Sequence, residues 1–143
     1  MHVAVLAIVA LVTWVVTALG GFILLGTWIA RGGVRGGSTR FPAALPLGHF
    51  ALAAAGLVVW IVYVLLDLGA LAWIAFVLLL PVAVLGFTML LRWIPTYRAR
   101  AASPPGEAPA EQGFPLPIVV GHGLFAVITV VLVLLSALGL FGS

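Results

Sequence analysis

The sequence contains no cysteine, no lysine and few charges of either sign. Six arginines and three acidic residues are its only formally charged side chains among 143 residues, and 65% of the chain is hydrophobic. Without cysteine, disulfides, thiolate metal sites and iron–sulfur clusters are excluded. A soluble domain needs more charged and polar surface than this composition provides, so a soluble globular fold is also excluded.

What the sequence has instead is four long apolar runs. They lie at about 3–30, 43–66, 70–94 and 115–141, and each is near or above the roughly 20 residues that span the hydrocarbon of a bilayer. The first run has no basic region before it and is longer than the core of a signal peptide, so it is interpreted as a retained span. The sequence therefore predicts an all-α integral membrane four-helix bundle, with residues 1–143 forming one transmembrane domain.

The charges predict how this bundle is oriented in the cell membrane. The connection around Asp67 carries no basic residue. The positive-inside rule then places the first and third connections in the cytoplasm and both termini outside. Because this topology accounts for the net charge of +3, nucleic acid is not a predicted partner. Trp28 and Trp93 are predicted to anchor helix ends in an aromatic belt. All six basic residues flank the first or the third connection: Arg31, Arg35, Arg40, Arg92, Arg98 and Arg100.

The two halves of the chain repeat a pattern of scarce residues. The second span opens FPAALPLGHFALA and the fourth opens FPLPIVVGHGLFA, and both read Phe-Pro, five residues, Gly-His, three residues, Ala. The first and third spans share Gly-Phe, five residues, Trp-Ile. These spacings predict two copies of one helical hairpin, residues 1–68 and 69–143. A parallel repeat of this kind is related by a pseudo-twofold axis along the membrane normal.

The repeat matches one histidine in each copy, His49 and His122. Both are predicted to lie on the order of 10 Å inside the cytoplasmic end. Stripes of small or polar residues face the interior of a membrane bundle, so the two imidazoles are predicted to face each other across the axis. In this arrangement they would supply the two axial ligands of one b-type haem. The stripes that contain the histidines are Ala53, Gly56, Trp60, Tyr63 and Asp67 on the second span, and Ala126, Thr129 and Ser136 on the fourth.

Two further groups of residues are assigned to the haem. Arg31, Arg40 and Arg92 are predicted to bind the propionates, because a guanidinium pairs well with a carboxylate. Small residues at the depth of the histidines are predicted to allow close approach of the macrocycle: Gly21, Gly86, Gly48, Gly121, Ala53 and Ala126.

With these residues the sequence resembles the small four-helix membrane b-type cytochromes, and also short uncharacterised four-span bacterial membrane proteins. His49, His122 and their glycine neighbours carry the resemblance. It implies a haem held by two histidines and electron transfer. The better-known carriers of this shape hold two haems on four histidines, whereas one pair predicts one haem. Electron exchange with a quinone or a redox partner protein is then expected at the cytoplasmic side.

Other interpretations remain open at the level of sequence. The histidines suit a metal or small-ligand site, or a hydrogen-bonded packing pair, and the chain suits a non-redox transport, structural or accessory subunit. A homo-oligomer or a larger membrane complex is compatible with each of these. The sequence has no nucleophile–base pair, so an electron-transfer or accessory subunit is favoured over a stand-alone enzyme. Tyr63 and Asp67 indicate either a proton or quinone site or a simple helix end.

Overall fold

The computed structural model describes residues 2–104 and 106–140, and in these ranges the protein is built from helices without strands. Two short 3-10 helices, Ala99–Ala101 and Ala110–Gly113, lie between the third and fourth long helices. Each long helix contains a segment long and apolar enough to cross a membrane. The long helices are α1 His2–Ala30, α2 Ala44–Leu66, α3 Gly69–Arg98 and α4 Leu116–Ala137.

Two helix ends differ from the sequence prediction. The third span was expected to end at 94, but α3 continues through Pro95 to Arg98. Proline removes one hydrogen bond from a helix, yet the N–H of Ala99 bonds to the Pro95 carbonyl and closes the last turn. The fourth helix ends at Ala137. Residues 138–140 form a turn, and the last residue of the span predicted to 141 lies outside the described residues.

The helices pack as an up-down bundle in which α2 and α4 lie across from each other. Helix α1 packs mainly along α4 and helix α2 mainly along α3, while α1 with α2 and α3 with α4 meet over shorter stretches. We call the end formed by residues 31–43 and 99–115 the arginine end, and the opposite one the Asp67 end. Large aliphatic side chains cover the outside, for example Leu65 and Leu91, which are 75% and 70% exposed.

Two aromatic clusters fill the interior on either side of the histidine depth. The Asp67-end cluster is built around Trp14, Trp60 and Tyr63, with Trp60 stacked near Tyr63 at a ring-centroid distance of 4.8 Å. The arginine-end cluster consists of Trp28, Phe41, Trp93 and Ala110. The expected interfacial belt is therefore wrong for both tryptophans of this cluster. Trp28 is 1% and Trp93 is 4% exposed, because their indole rings turn inward.

The composition of the connections at the arginine end predicts a flexible, Gly- and Arg-rich loop after α1 and a solvated, helix-free loop after α3. Instead, hydrogen bonds hold both connections, and the one after α3 contains the two 3-10 helices. After α1, Gly33 donates to the Trp28 carbonyl and Gly32 donates to the Ile29 carbonyl. With Gly32 at φ 88°, these bonds form a Schellman cap. In the connection after α3, Glu111 is completely buried, although its charge suggested a solvated position.

The turn between α2 and α3 lies at Asp67, where the sequence predicts the connection between the second and third spans. Asp67 adopts the left-handed conformation at φ 52°, which aspartate tolerates better than most residues. Its N–H bonds to the Tyr63 carbonyl at 2.8 Å, and the side chain is exposed. Asp67 thus ends a helix, whereas Tyr63 is buried beneath it.

Candidate functional site

The structure brings His49 and His122 together inside the bundle. His49 lies on α2 and His122 on α4, each within the first two turns counted from the arginine end. Their ring centroids are 6.2 Å apart, with 60° between the ring planes. Two helices that lie across the bundle therefore present their imidazoles to each other.

A backbone carbonyl on a neighbouring helix holds each imidazole. His49 Nδ1 lies 2.9 Å from the carbonyl oxygen of Val82 on α3, and His122 Nδ1 lies 2.8 Å from that of Thr17 on α1. A carbonyl oxygen only accepts, so each Nδ1 is the donor. In a neutral imidazole the proton on Nδ1 leaves Nε2 with its lone pair free.

Glycines make these two hydrogen bonds sterically possible. Gly21 follows Thr17 by four residues, and Gly86 follows Val82 by four, so each glycine lies one turn beyond the accepting carbonyl. A Cβ at Gly21 would lie 3.1 Å from His122 Cε1. At Gly86 it would lie 3.2 Å from Cε1 of the other histidine. At both glycines the group that comes close is the imidazole, and the predicted approach of a macrocycle stays a prediction.

Both Nε2 atoms remain available to a ligand. Within residues 2–104 and 106–140, the one fully buried side-chain nitrogen or oxygen without a hydrogen-bond partner is Ser136 Oγ. Neither Nε2 atom is in this class, so neither is fully buried. Both histidines are half-buried. The described part of the chain places no cluster of three or more His, Cys, Asp or Glu side chains around a metal position. The site thus offers two acceptor nitrogens.

The other predicted small residues surround the histidines more loosely. A Cβ at Gly48 or Gly121 would meet no atom within 4 Å. Ala53 and Ala126, one turn beyond the histidines, are half-buried. Their role in admitting a macrocycle stays a prediction.

A group of threonines lies on the Asp67 side of His122. The hydroxyl of Thr129 donates to that of Thr13 at 3.1 Å and lies 3.5 Å from that of Thr17. Thr13 and Thr17 also bond back to carbonyls of their own helix. The hydroxyls tie α1 to α4 beside one histidine.

The three arginines assigned to propionates lie farther from the pair. Arg31, Arg40 and Arg92 are exposed, and the arginine-end cluster fills the interior between their level and the histidines. Arg92 donates to the Arg40 carbonyl at 3.0 Å, while Arg31 extends over the position of Gly113. The structure does not bring them into contact with the histidine pair.

Sequence reasoning missed the partners of the histidines, Thr17 and Val82, because a backbone carbonyl leaves no trace in residue type. The glycine one turn beyond each carbonyl is a usable signal, since a helix carbonyl is uncovered where the next turn has no side chain. The burial of Glu111 was also missed, because a charged side chain in a Pro-rich connection predicts exposure to solvent.

Comparisons of the chain with protein-family models, with curated proteins and with solved structures find no match. The site is therefore interpreted from its own geometry.

Proposed function

We propose that this chain is a membrane b-type cytochrome that binds one haem between His49 and His122 and transfers electrons near the arginine end. One observation carries the proposal. Both imidazoles donate through Nδ1 to backbone carbonyls, which leaves both Nε2 lone pairs free inside the bundle. A metal-binding histidine typically donates its other nitrogen to a carbonyl or carboxylate, which orients the ring and strengthens the ligand.

The distance between the rings supports the same interpretation. Two imidazoles that bind one metal from opposite sides, each at about 2.0 Å, have centroids roughly 6 Å apart. The observed centroid distance is 6.2 Å. An edge-to-face packing pair can have this spacing too, so the two unused acceptor nitrogens, rather than the distance, carry the proposal.

The number of protein ligands favours haem iron over a bare ion. A structural or catalytic zinc takes at least three protein ligands, whereas a porphyrin supplies four nitrogens and needs only two axial ones. His49 and His122 fit such a group as neutral axial ligands. When bound, haem supplies one-electron redox chemistry. The chain itself orients the ligands through Thr17 and Val82 and surrounds them with apolar walls.

Two equivalent sets of contacts support the repeated hairpin. The acceptor residues Thr17 and Val82 differ by 65 in number, and so do the glycines Gly21 and Gly86. We propose that the two hairpins are copies related by a pseudo-twofold axis, with one imidazole from each copy. The charged loops support insertion with the arginine end in the cytoplasm.

An absorption spectrum tests the haem directly. Protein purified from cells with ample haem should show a Soret band and split visible bands after reduction with dithionite. His49→Ala and His122→Ala should each abolish the low-spin spectrum, whereas His2→Ala provides a matched control that keeps it. Colourless wild-type protein overturns the proposal, and an unchanged spectrum in either variant rejects that ligand.

The same pair of nitrogens supports one second candidate, a first-row transition-metal ion whose remaining ligands come from outside the described residues. Colourless protein that carries a stoichiometric metal by elemental analysis, lost in both histidine variants, would favour this candidate. Protein without haem or metal would favour the transport or accessory interpretations.

The orientation has its own test, because the chain has no cysteine. Single cysteines at Val34 and Leu68, which are 49% and 54% exposed, lie at opposite ends of the bundle. A membrane-impermeant maleimide should label Leu68→Cys in intact cells, and Val34→Cys only after permeabilisation. The reverse pattern would invert the proposed topology.

A further inference from the structure

Glu111 is a completely buried acid in a chain with three acidic residues. Its Oε1 accepts from the backbone N–H of Arg40 at 2.6 Å. Its Oε2 accepts from the hydroxyl of Thr39 at 2.7 Å. The carboxylate of one connection is therefore held by donors from the other, at the arginine end.

The same few residues hold both tryptophans of the arginine-end cluster. Trp28 Nε1 donates to Thr39 Oγ1 at 3.0 Å. Trp93 Nε1 donates to the backbone carbonyl of Glu111, also at 3.0 Å. The hydroxyl of Thr39 also accepts from the N–H of Phe41 at 3.1 Å. Three aromatic residues of the cluster are thus connected to the Thr39–Glu111 pair.

Further bonds dock the third connection, between α3 and α4, without relying on the carboxylate. Ala110 donates its N–H to the Ser38 carbonyl at 2.8 Å. Gln112 Nε2 donates to Ser103 Oγ at 2.8 Å and to the Thr96 carbonyl at 3.3 Å. Residues 106–113 thus form a strap that lies across the end of the bundle. The carboxylate is the strap's charged contact with residues 38–41.

The strap packs on the aromatic layer that lies between this end of the bundle and the histidines. Trp28, Phe41 and Trp93 are 1%, 2% and 4% exposed, so they close the interior at this end. Leu25 and Leu90 pack against the inner side of the same cluster, between it and the depth of the histidines. Movement of the strap would release the Trp93 indole and remove the carboxylate that holds Thr39, the partner of Trp28.

We propose that Glu111 is the latch of a lid, and that residues 106–113 control access from the arginine end to the histidine pair. A charged acceptor forms stronger hydrogen bonds than a neutral one, and a buried charge that loses its donors is strongly unfavourable. The ionised carboxylate therefore favours the closed lid, in which its donors surround it. The proposal concerns access to the site, so it holds whether the pair binds haem or another ligand.

Cysteine accessibility tests the lid. Leu25→Cys places a thiol beneath the aromatic layer in a chain that has no other cysteine. A charged, membrane-impermeant maleimide should label it slowly in membrane vesicles that expose the arginine end. Adding Glu111→Gln should raise the labelling rate about tenfold or more, because the amide cannot accept with both groups and a bond to a charged acceptor is lost.

Matched variants separate the latch from general loosening. Glu107→Gln removes the other glutamate of the same connection, which is exposed, and should leave the labelling rate of Leu25→Cys unchanged. Val34→Cys in the exposed loop should label rapidly in every background. Leu91→Cys on the outer face should stay unlabelled with Glu111→Gln, which shows that the bundle has not unfolded.

Two results would overturn the lid. One is an equal labelling rate of Leu25→Cys with Glu111→Gln and with Glu107→Gln. The other is labelling of Leu25→Cys as fast as Val34→Cys when Glu111 is intact. Where Glu111→Gln does not fold, Thr39→Val provides the same measurement, because it removes the hydroxyl donor and keeps the carboxylate. It should raise the rate by less than Glu111→Gln, and an unchanged rate would again reject the latch.

Discussion

The two halves of the histidine site hold their imidazoles in the same way but are packed differently. In one half, His49 of α2 donates to α3, and in the other, His122 of α4 donates to α1. Each carbonyl is followed four residues later by a glycine whose missing Cβ leaves room for the ring. The geometry that frees Nε2 is therefore present twice.

The surroundings of the two rings are not equivalent. Beside His122, the hydroxyls of Thr13, Thr17 and Thr129 join α1 to α4. At the positions that the proposed repeat pairs with these threonines, the other half has Leu78, Val82 and Gly56. There the indole of Trp14 packs against Gly56, where a Cβ would lie 3.1 Å from the ring.

This comparison separates orientation of the ligand from packing of the helices. What both halves share is the carbonyl and the glycine that orient an imidazole. What differs is the contact between neighbouring helices, which is made by hydrogen-bonded hydroxyls in one half and by an aromatic ring packed on a glycine in the other. Substitutions of the shared residues should affect both halves alike, whereas substitutions of the hydroxyls should affect one half only.

The largest and most symmetrical effect is expected at the glycines. Gly21→Val and Gly86→Val would each push an imidazole off its carbonyl, because a Cβ alone already comes within 3.1 and 3.2 Å of Cε1. Each should lower the free energy of unfolding by about 1–3 kcal/mol through overpacking. Each should also lower the yield of haem-bound protein. Thermal unfolding in detergent measures the first effect and the reduced spectrum the second.

Gly26→Val is the matched control, since it adds the same side chain to α1 at an exposed position with no atom within 4 Å. It should unfold within a few tenths of a kcal/mol of the wild type. If the valines at Gly21 and Gly86 proved as harmless as this one, the glycines would not be needed to seat the rings.

Several of these features follow from the sequence by simple physical rules. Four apolar runs predict four helices, because a bilayer requires long apolar segments. The helical period places Gly56, Trp60 and Tyr63 on the stripe through His49, and these three residues are buried. The inward direction of the histidines follows from the helical period, and their position near the arginine end follows from the few residues between them and the helix start. Both were therefore predictable.

Features that depend on which helices pack together were not predictable in the same way. The carbonyls of Thr17 and Val82 each accept a hydrogen bond from a histidine of the other predicted hairpin. The lengths of the loops do not predict which helices of the two hairpins pack together. The burial of Glu111 likewise arises because two connections dock on each other. The composition of one connection carries no information about the other. It therefore predicts a solvent-exposed carboxylate, whereas Glu111 is buried among donors of the first connection.

A smaller effect, confined to one half, is expected at Thr129. Thr129→Val keeps the shape of the side chain but removes the hydroxyl that donates to Thr13 and lies near Thr17. The expected loss is about 1 kcal/mol of unfolding free energy, a typical value for a hydrogen bond between membrane helices. Thermal unfolding should show it, and the spectrum should keep both axial ligands.

Thr88→Val serves as its control, because Thr88 is half-buried and its hydroxyl bonds to Val84 of its own helix. A loss equal to that at Thr129 would mean that threonine hydroxyls stabilise the helices themselves rather than the contact between α1 and α4. Loss of the low-spin spectrum in Thr129→Val would instead show that packing and ligand orientation are coupled.

The smallest effect, and of opposite sign, is expected two turns farther along α4 at Ser136. Its side chain is 8% exposed, and its Oγ has no partner among the described residues. An unpaired buried hydroxyl is unfavourable, so Ser136→Ala should raise the unfolding free energy by less than about 1 kcal/mol. Thr129→Val and Ser136→Ala thus remove two hydroxyls from one stripe of one helix and should shift the unfolding temperature in opposite directions. If Ser136→Ala were as destabilising as Thr129→Val, the serine would have a partner in the membrane, and the polar contacts of this half would extend from the histidine to the Asp67 end.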